Sequence, residues 1–256
     1  MSWFPSHDPF ETDADEQDAA FEAVVEKVGD EIAPGVVVER RKILKLPLAL
    51  VGALALGSRA PRSAQLRNAF AEDSSERISF DQLLEELQPL GEALVGGSQT
   101  NEEAYLHTVA SMLQRLNVEG LPSRGRKPPI AITQLRLKPN AAIPYHDHRN
   151  LNGVILGLEG EIRIRNFEIQ GENQIPAKNE LFRIRETSDA RVTPGSVSTL
   201  ARKRDNIHDL RAGEEGGLIL DVFTFFGRDV SSNFVTVDEK AVDEKLRIYE
   251  AHWRES

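Results

Sequence analysis

From residue 130 onward apolar and polar positions alternate with a period of two. Turn-forming residues interrupt these short runs in quick succession, the pattern of strands in a sandwich or barrel. Strands are predicted over residues 130–137, 152–156, 161–169, 180–186, 196–201, 206–211 and 217–226. Turns are predicted at 139–140, 157–160, 170–173, 194–195 and 212–217, where Pro, Gly and Asn gather. Residues 64–118 change to a helical period. There Ser79-x-x-Gln82 precedes Leu83, Leu84 and Leu87, and Thr100-x-x-Glu103 precedes Leu106, Val109, Leu113 and Leu116. Both have the capping-box pattern, and Pro89 and Gly120 are expected to end the two helices. The helices should pack on the outside of the barrel. His107 sits beside the second apolar stripe and is expected to face solvent. Residues 121–129 read as a linker, and the run after Ser231 as an irregular strand and a short helix.

The front of the chain is different. Between Asp8 and Glu31 ten acidic residues stand against one lysine. Such a stretch buries too little apolar surface to order itself, despite a helical spacing of Phe21, Val24, Val25 and Val28. Arg40-Arg41-Lys-Ile-Leu-Lys45 then leads into the run from Leu46 to Gly57 and a small-residue exit near Ala60. This looks like a twin-arginine export signal. The apolar run falls short of the roughly 20 residues that span a bilayer, so export without stable membrane insertion is expected. The competing reading is a buried Ala/Leu helix in a cytoplasmic protein. The expected organisation is an acidic leader with the signal over 1–60, a helical region over 61–125 and a β domain with a C-terminal tail over 126–256.

The 256 residues carry a net charge of −10, with eleven acidic and six basic side chains in the first 60. That balance argues against nucleic acid as a partner. No cysteine is present, so a disulfide and a thiolate ligand are both excluded and any metal must be held by His or carboxylate.

Candidate chemistry centres on Tyr145-His146-Asp147-His148. On a strand, His146 and His148 point to one face and Asp147 and Tyr145 to the other. Two imidazoles on one face make half a metal site, and a third ligand is required. Of the six histidines (His7, His107, His146, His148, His208 and His252), only His208 lies in strand-like sequence outside the pair. His252 reads as a surface or packing residue.

These motifs resemble the cupin superfamily, whose first motif carries His-x-His with a downstream glycine and whose second follows a Pro-Gly turn, here Pro194-Gly195, and adds a histidine. The chain is most similar to the thiol dioxygenases of the cysteamine dioxygenase and plant cysteine oxidase group. Ile143-Pro-Tyr-His-Asp-His resembles their Pro-x-His-Asp-His, Leu158-Glu-Gly their Leu-x-Gly, Asn206-Ile-His their Asn-[Ile/Met]-His, and Leu220-Asp-Val their Leu-Asp-Val. The likeness runs from about residue 130 to the end. It implies a mainly β cupin (double-stranded β-helix or jelly-roll) barrel behind an N-terminal helical region. It also implies Fe(2+) on His146, His148 and His208, with Asp221 orienting a ligand imidazole or the substrate. The substrates would be a small-molecule thiol and O2, and a monomer is expected.

A three-histidine set agrees with the residues themselves. The glutamate of the general cupin pattern would fall on Asn152 or Gly153, neither a carboxylate. An all-imidazole set leaves a divalent ion its full charge, which favours an anionic thiolate. The chain departs from the eukaryotic members after Asp221, running Val-Phe-Thr-Phe-Phe without their Pro-Pro-Tyr, and no Cys–Tyr crosslink can form. Phe223, Phe225 or Phe226 would then make the pocket more apolar. Arg136, Arg163 and Arg165 are candidates to read a substrate carboxylate, while Arg202 and Arg204 read as solvent-exposed. Two rivals remain: another metal-dependent cupin enzyme, such as an isomerase or carbon-substrate dioxygenase, and a non-catalytic ligand-binding cupin.

Overall fold

The computed structural model describes residues 36–37, 77–98, 101–171, 176–178, 180–227 and 230–254. The acidic leader, the export signal and the start of the helical region lie outside the described residues, apart from a two-residue strand, β1 (Val36–Val37). Two helices follow, α1 (Phe80–Val95) and α2 (Glu102–Gln114). The rest is strand: β2 (Arg124–Lys127), β3 (Ile130–Leu137), β4 (Ala142–Asp147), β5 (Leu151–Ile169), β6 (Phe182–Val192), β7 (Val197–Leu200), β8 (Ile207–Phe225), β9 (Val235–Val237) and β10 (Ile248–Trp253).

The fold is mainly β, a single antiparallel sheet curled into a half-barrel. Its two long strands serve both ends. The first half of β5 pairs with β7 and with the second half of β8, which also pairs β3. The second half of β5 pairs with β6 and with the first half of β8, which also pairs β4. Hydrogen bonds from Asp147 N–H to Asn233 O and Arg149 N–H to Ser231 O tie the segment before β9 to the end of β4.

The sequence suggested two strands and a turn where β5 runs through, and again where β8 does. The glycines read as turns instead let two backbones touch. A Cβ on Gly157 would lie 2.2 Å from the carbonyl oxygen of Thr193, and one on Gly160 (φ 62°) 2.2 Å from that of Gly216. The register slips between Gly157 and Glu159 and between Gly160 and Ile162, so the strand bends by bulges instead of ending.

The helices lie on the outer face of the β3–β8–β5 portion. Leu83, Leu87, Leu106, Leu113 and Leu116 pack with Ile130, Ile132, Val154, Leu220 and Val222 in one core. Each such side chain contributes about 1.5–3 kcal/mol by leaving water. The Ser79–Gln82 capping box forms as expected. Pro89 does not break α1, which continues to Val95. Pro89 and Glu85, whose carbonyl the missing N–H would have bonded, are both on the exposed face, so water can serve that carbonyl. The cap of α2 is Asn101, whose Oδ1 accepts from Ala104 N–H at 3.0 Å, and the helix ends at Gln114, well before Gly120. The supposed linker contains β2, and the tail ends in β10 with turns before it instead of a short helix.

Candidate metal centre

β4 and β8 are neighbours, and their register sets His146 directly opposite His208. His148 is two residues further on, on the same side. The three imidazoles meet edge to face, with ring centroids 4.5–4.9 Å apart. Nε2 of His208 lies 3.0 Å from Nε2 of His148 and 3.1 Å from Nε2 of His146. All three residues are buried, at 2–4% exposure. They are the one group of three or more His or acidic side chains among the described residues whose ligand atoms converge this way.

Burial pushes each imidazole toward its neutral form: His146 down to about 4, His148 and His208 well below the usual range. His146 Nδ1–H donates to Pro144 O at 2.8 Å, which leaves its Nε2 as a bare lone pair aimed at the other two rings. That lone pair can accept an Nε2–H of His208 or bind a cation in common with the other two rings. Two of the Nε2 pairs are 3.0–3.1 Å apart, and the three ligand atoms all lie within 4.8 Å of one another. Such a donor set could hold iron as readily as several other divalent metals.

The carboxylate of a four-ligand cupin site has no counterpart. Asn152 is fully buried but points to the helical side, where its Nδ2 donates to Glu102 Oε1 at 2.9 Å. Gly153 pairs with Phe223 across the ladder, and a Cβ there would meet the Phe223 ring at 3.2 Å.

Phe223 flanks His148 with centroids 5.6 Å apart, Phe234 flanks His146 at 6.0 Å, and Phe225 continues the same wall 6.5 Å from Phe223. Phe226 is not part of it. That side chain packs on the helical core beneath the Arg202 guanidinium. Asp221 lies two residues before Phe223 on β8 and so faces the same way. It is 7% exposed, burial pushes its carboxyl well above the usual range, and one of its oxygens has no partner. Nδ1 of His148 and of His208 also lack partners, so no hydrogen bond from Asp221 orients either ring.

The arginines named as carboxylate readers are engaged elsewhere. Arg136 pairs with Glu159, Arg163 with Asp189 and Arg165 with Asp209. Arg165 also bonds the hydroxyl of Tyr145, which points away from the histidines as the alternation requires. Arg202 and Arg204 bind Glu102 and Glu103 at the start of α2. His107 and His252 are exposed.

Sequence reasoning did not single out the polar residues that grip the ligand strand. Asp147, buried between the two ligands, accepts from Asn233 N–H at 2.6 Å, Asn233 Nδ2 at 3.0 Å and Arg149 Nε at 3.1 Å. Its carbonyl accepts from Ser232 Oγ at 2.8 Å. The signal for Asp147 was its place inside His-x-His. Nothing marked Ser232 or Asn233.

No protein-family model matches the chain, and no curated protein does. Among solved structures it is similar to the recombinant pro-11S globulin of pumpkin, with 16% identity, a TM-score of 0.31, and coverage of 41% of this chain and 23% of that one. It is also similar to a recombinant oxalate oxidase in complex with glycolate, with 15% identity, a TM-score of 0.29, and coverage of 40% and 44%. The chain spans less than half the length of either structure, and likeness this partial transfers no residue roles.

Proposed function

We propose that this protein is a non-haem iron(II) thiol dioxygenase of the cupin superfamily, converting a small thiol to its sulfinic acid. The carrying observation is the buried, neutral three-imidazole set, whose converging ligand atoms include no carboxylate among the described residues. The motif likeness around His146, His148, His208 and Asp221 supports the same reading. An iron(II) ion there would keep its full double charge and have positions open for an anionic thiolate and dioxygen together. The reaction balances without another reagent. The thiol sulfur gives up four electrons, dioxygen accepts them, both oxygen atoms end on sulfur, and the thiol proton stays with the sulfinic acid.

The chain's own residues supply the surroundings. Phe223, Phe225 and Phe234 keep the site dry, which strengthens charge pairing within it. Asp221 presents a free carboxyl oxygen to a donor on the substrate, such as an amine. The engagement of Arg136, Arg163 and Arg165 by carboxylates speaks for a substrate bound without a carboxylate clamp.

The test is oxygen uptake by the iron-loaded full chain with cysteine, cysteamine, 3-mercaptopropionate and a peptide with an amino-terminal cysteine, with product masses recorded. One thiol should gain two oxygens, and His208→Ala should abolish the gain. Bound iron without uptake on any thiol removes the dioxygenase reading and favours another metal-dependent cupin enzyme.

A further inference from the structure

The β4–β8 ladder stops one residue short of a proposed metal ligand. Its last pairs are His146 with His208 and Asp147 with Ile207. The next pair would be His148 with Asn206, but Asp205, at φ 58°, turns the chain just before β8 begins. The backbone of His148 is nevertheless paired. Its N–H donates to Asn206 Oδ1 at 3.1 Å, and its carbonyl accepts from Asn206 Nδ2 at 2.8 Å. One side-chain amide thus offers an acceptor and a donor as a neighbouring peptide group would. The same Nδ2 is 3.4 Å from Ala201 O.

We propose that Asn206 is a positioning residue for the metal centre, extending the ladder by one side-chain rung so that His148 Nε2 stays in register with His208 Nε2. The inference rests on the three histidines holding a metal, and not on which reaction follows. Two features make the rung necessary. The β4 register slips between Ile143 and His146, so the strand's earlier pairs do not fix the spacing of its end. The Nδ1 atoms of His148 and His208 have no partner, so no hydrogen bond from outside the three rings holds these imidazoles, and their orientation depends on the backbone that carries them. Only an amide of this length serves. Alanine supplies neither group, and aspartate keeps the acceptor but loses the donor.

The experiment is cobalt(II) titration of the full chain, read by dissociation constant and by the visible d–d bands of the bound ion. Removing an outer partner of a ligand typically weakens metal binding about 10–100-fold. Asn206→Ala is expected to show such a loss together with displaced bands, and Asn206→Asp a smaller loss. The control is Tyr105→Phe, which removes a buried hydrogen bond on the opposite face of the sheet. It should lower the melting temperature while leaving cobalt affinity and bands unchanged. If Asn206→Ala does not fold, Asn206→Asp decides alone. Unsubstituted affinity and bands in the Asn206 variants overturn the inference while the metal centre stands, and absence of cobalt binding by the unsubstituted protein overturns both. Oxygen uptake, whichever way it falls, bears only on the reaction.

Discussion

Asp221 offers the sharpest test of the site's interior, because its carboxyl is enclosed and one oxygen has no partner. Burial is the larger effect and raises its pKa well above the usual range, and the bond from Val222 N–H opposes this only in part. In the unfolded chain the same carboxyl titrates near 3.9. Between those two values the native state holds a proton that the unfolded state has released. Stability therefore falls as pH rises through the window, by up to about 1.4 kcal/mol per pH unit. Asp221→Asn removes this titration. The new amide can leave a buried N–H without a partner at about 1–3 kcal/mol, but that cost does not vary with pH. The readout is accordingly the difference in slope. Urea unfolding of the metal-free protein and the variant would be compared at steps from about pH 4 upward, well past the unfolded value. Other shifted groups, including Asp147 and Glu186, are common to both proteins and cancel. The stability of the Asp221→Asn variant relative to the unsubstituted protein should rise steadily with pH from about 4, and parallel curves would refute the enclosed carboxyl.

The metal-free protein should lose stability in the opposite direction, as pH falls below about 6.5, where unfolded imidazoles take up protons that the three buried rings refuse. Its unfolding midpoint should drop steeply there, and bound cobalt(II) should raise the curve without flattening it, because metal-bound rings refuse protons as well. Tyr105→Phe should cost about 1–3 kcal/mol in urea unfolding, because it strands the Thr224 hydroxyl now held at 2.6 Å. The cost should be the same from acid to mildly alkaline pH, since burial raises the Tyr105 hydroxyl to about 12. Phe223→Ala should open space beside His148 and Gly153. In a thiol panel it should lower KM for bulkier thiols while cobalt affinity holds; unchanged discrimination would show that this ring does not shape the pocket.

The strands were legible where turn residues bounded them on both sides. β3 matched its expected bounds, Ile130 to Leu137 between Pro129 and Pro139, and pairs along its full length with β8, although its first four residues are all buried. The long strands were misread as pairs because Gly157, Gly160, Gly216 and Gly217 carry the same local signal whether a chain reverses or two backbones pass close together. Only the partner strand distinguishes those cases, and a single sequence does not display it. Pro89 was misread for a related reason. Its effect on α1 depends on whether the carbonyl of Glu85 meets water or core, which is a property of the packed helix.

At the site, the division follows how far each role travels along the chain. His-x-His puts two ligands on one face through strand geometry alone, so the pair declared itself. His208 stood out through its strand-like setting, and the register of β4 on β8 brings it opposite His146. The grip on those ligands is a different kind of fact. Asp147 acts through Ser232 and Asn233, 85 and 86 residues away, and Asn206 acts on His148 across 58. Neither distance has a period. Polar side chains that substitute for backbone partners become visible only where a ladder ends and the next peptide groups still need partners. Here that place is the edge between β4 and the start of β8. The feature that makes His148 hard to hold, its position past the last laddered pair, is also what locates the residue that holds it.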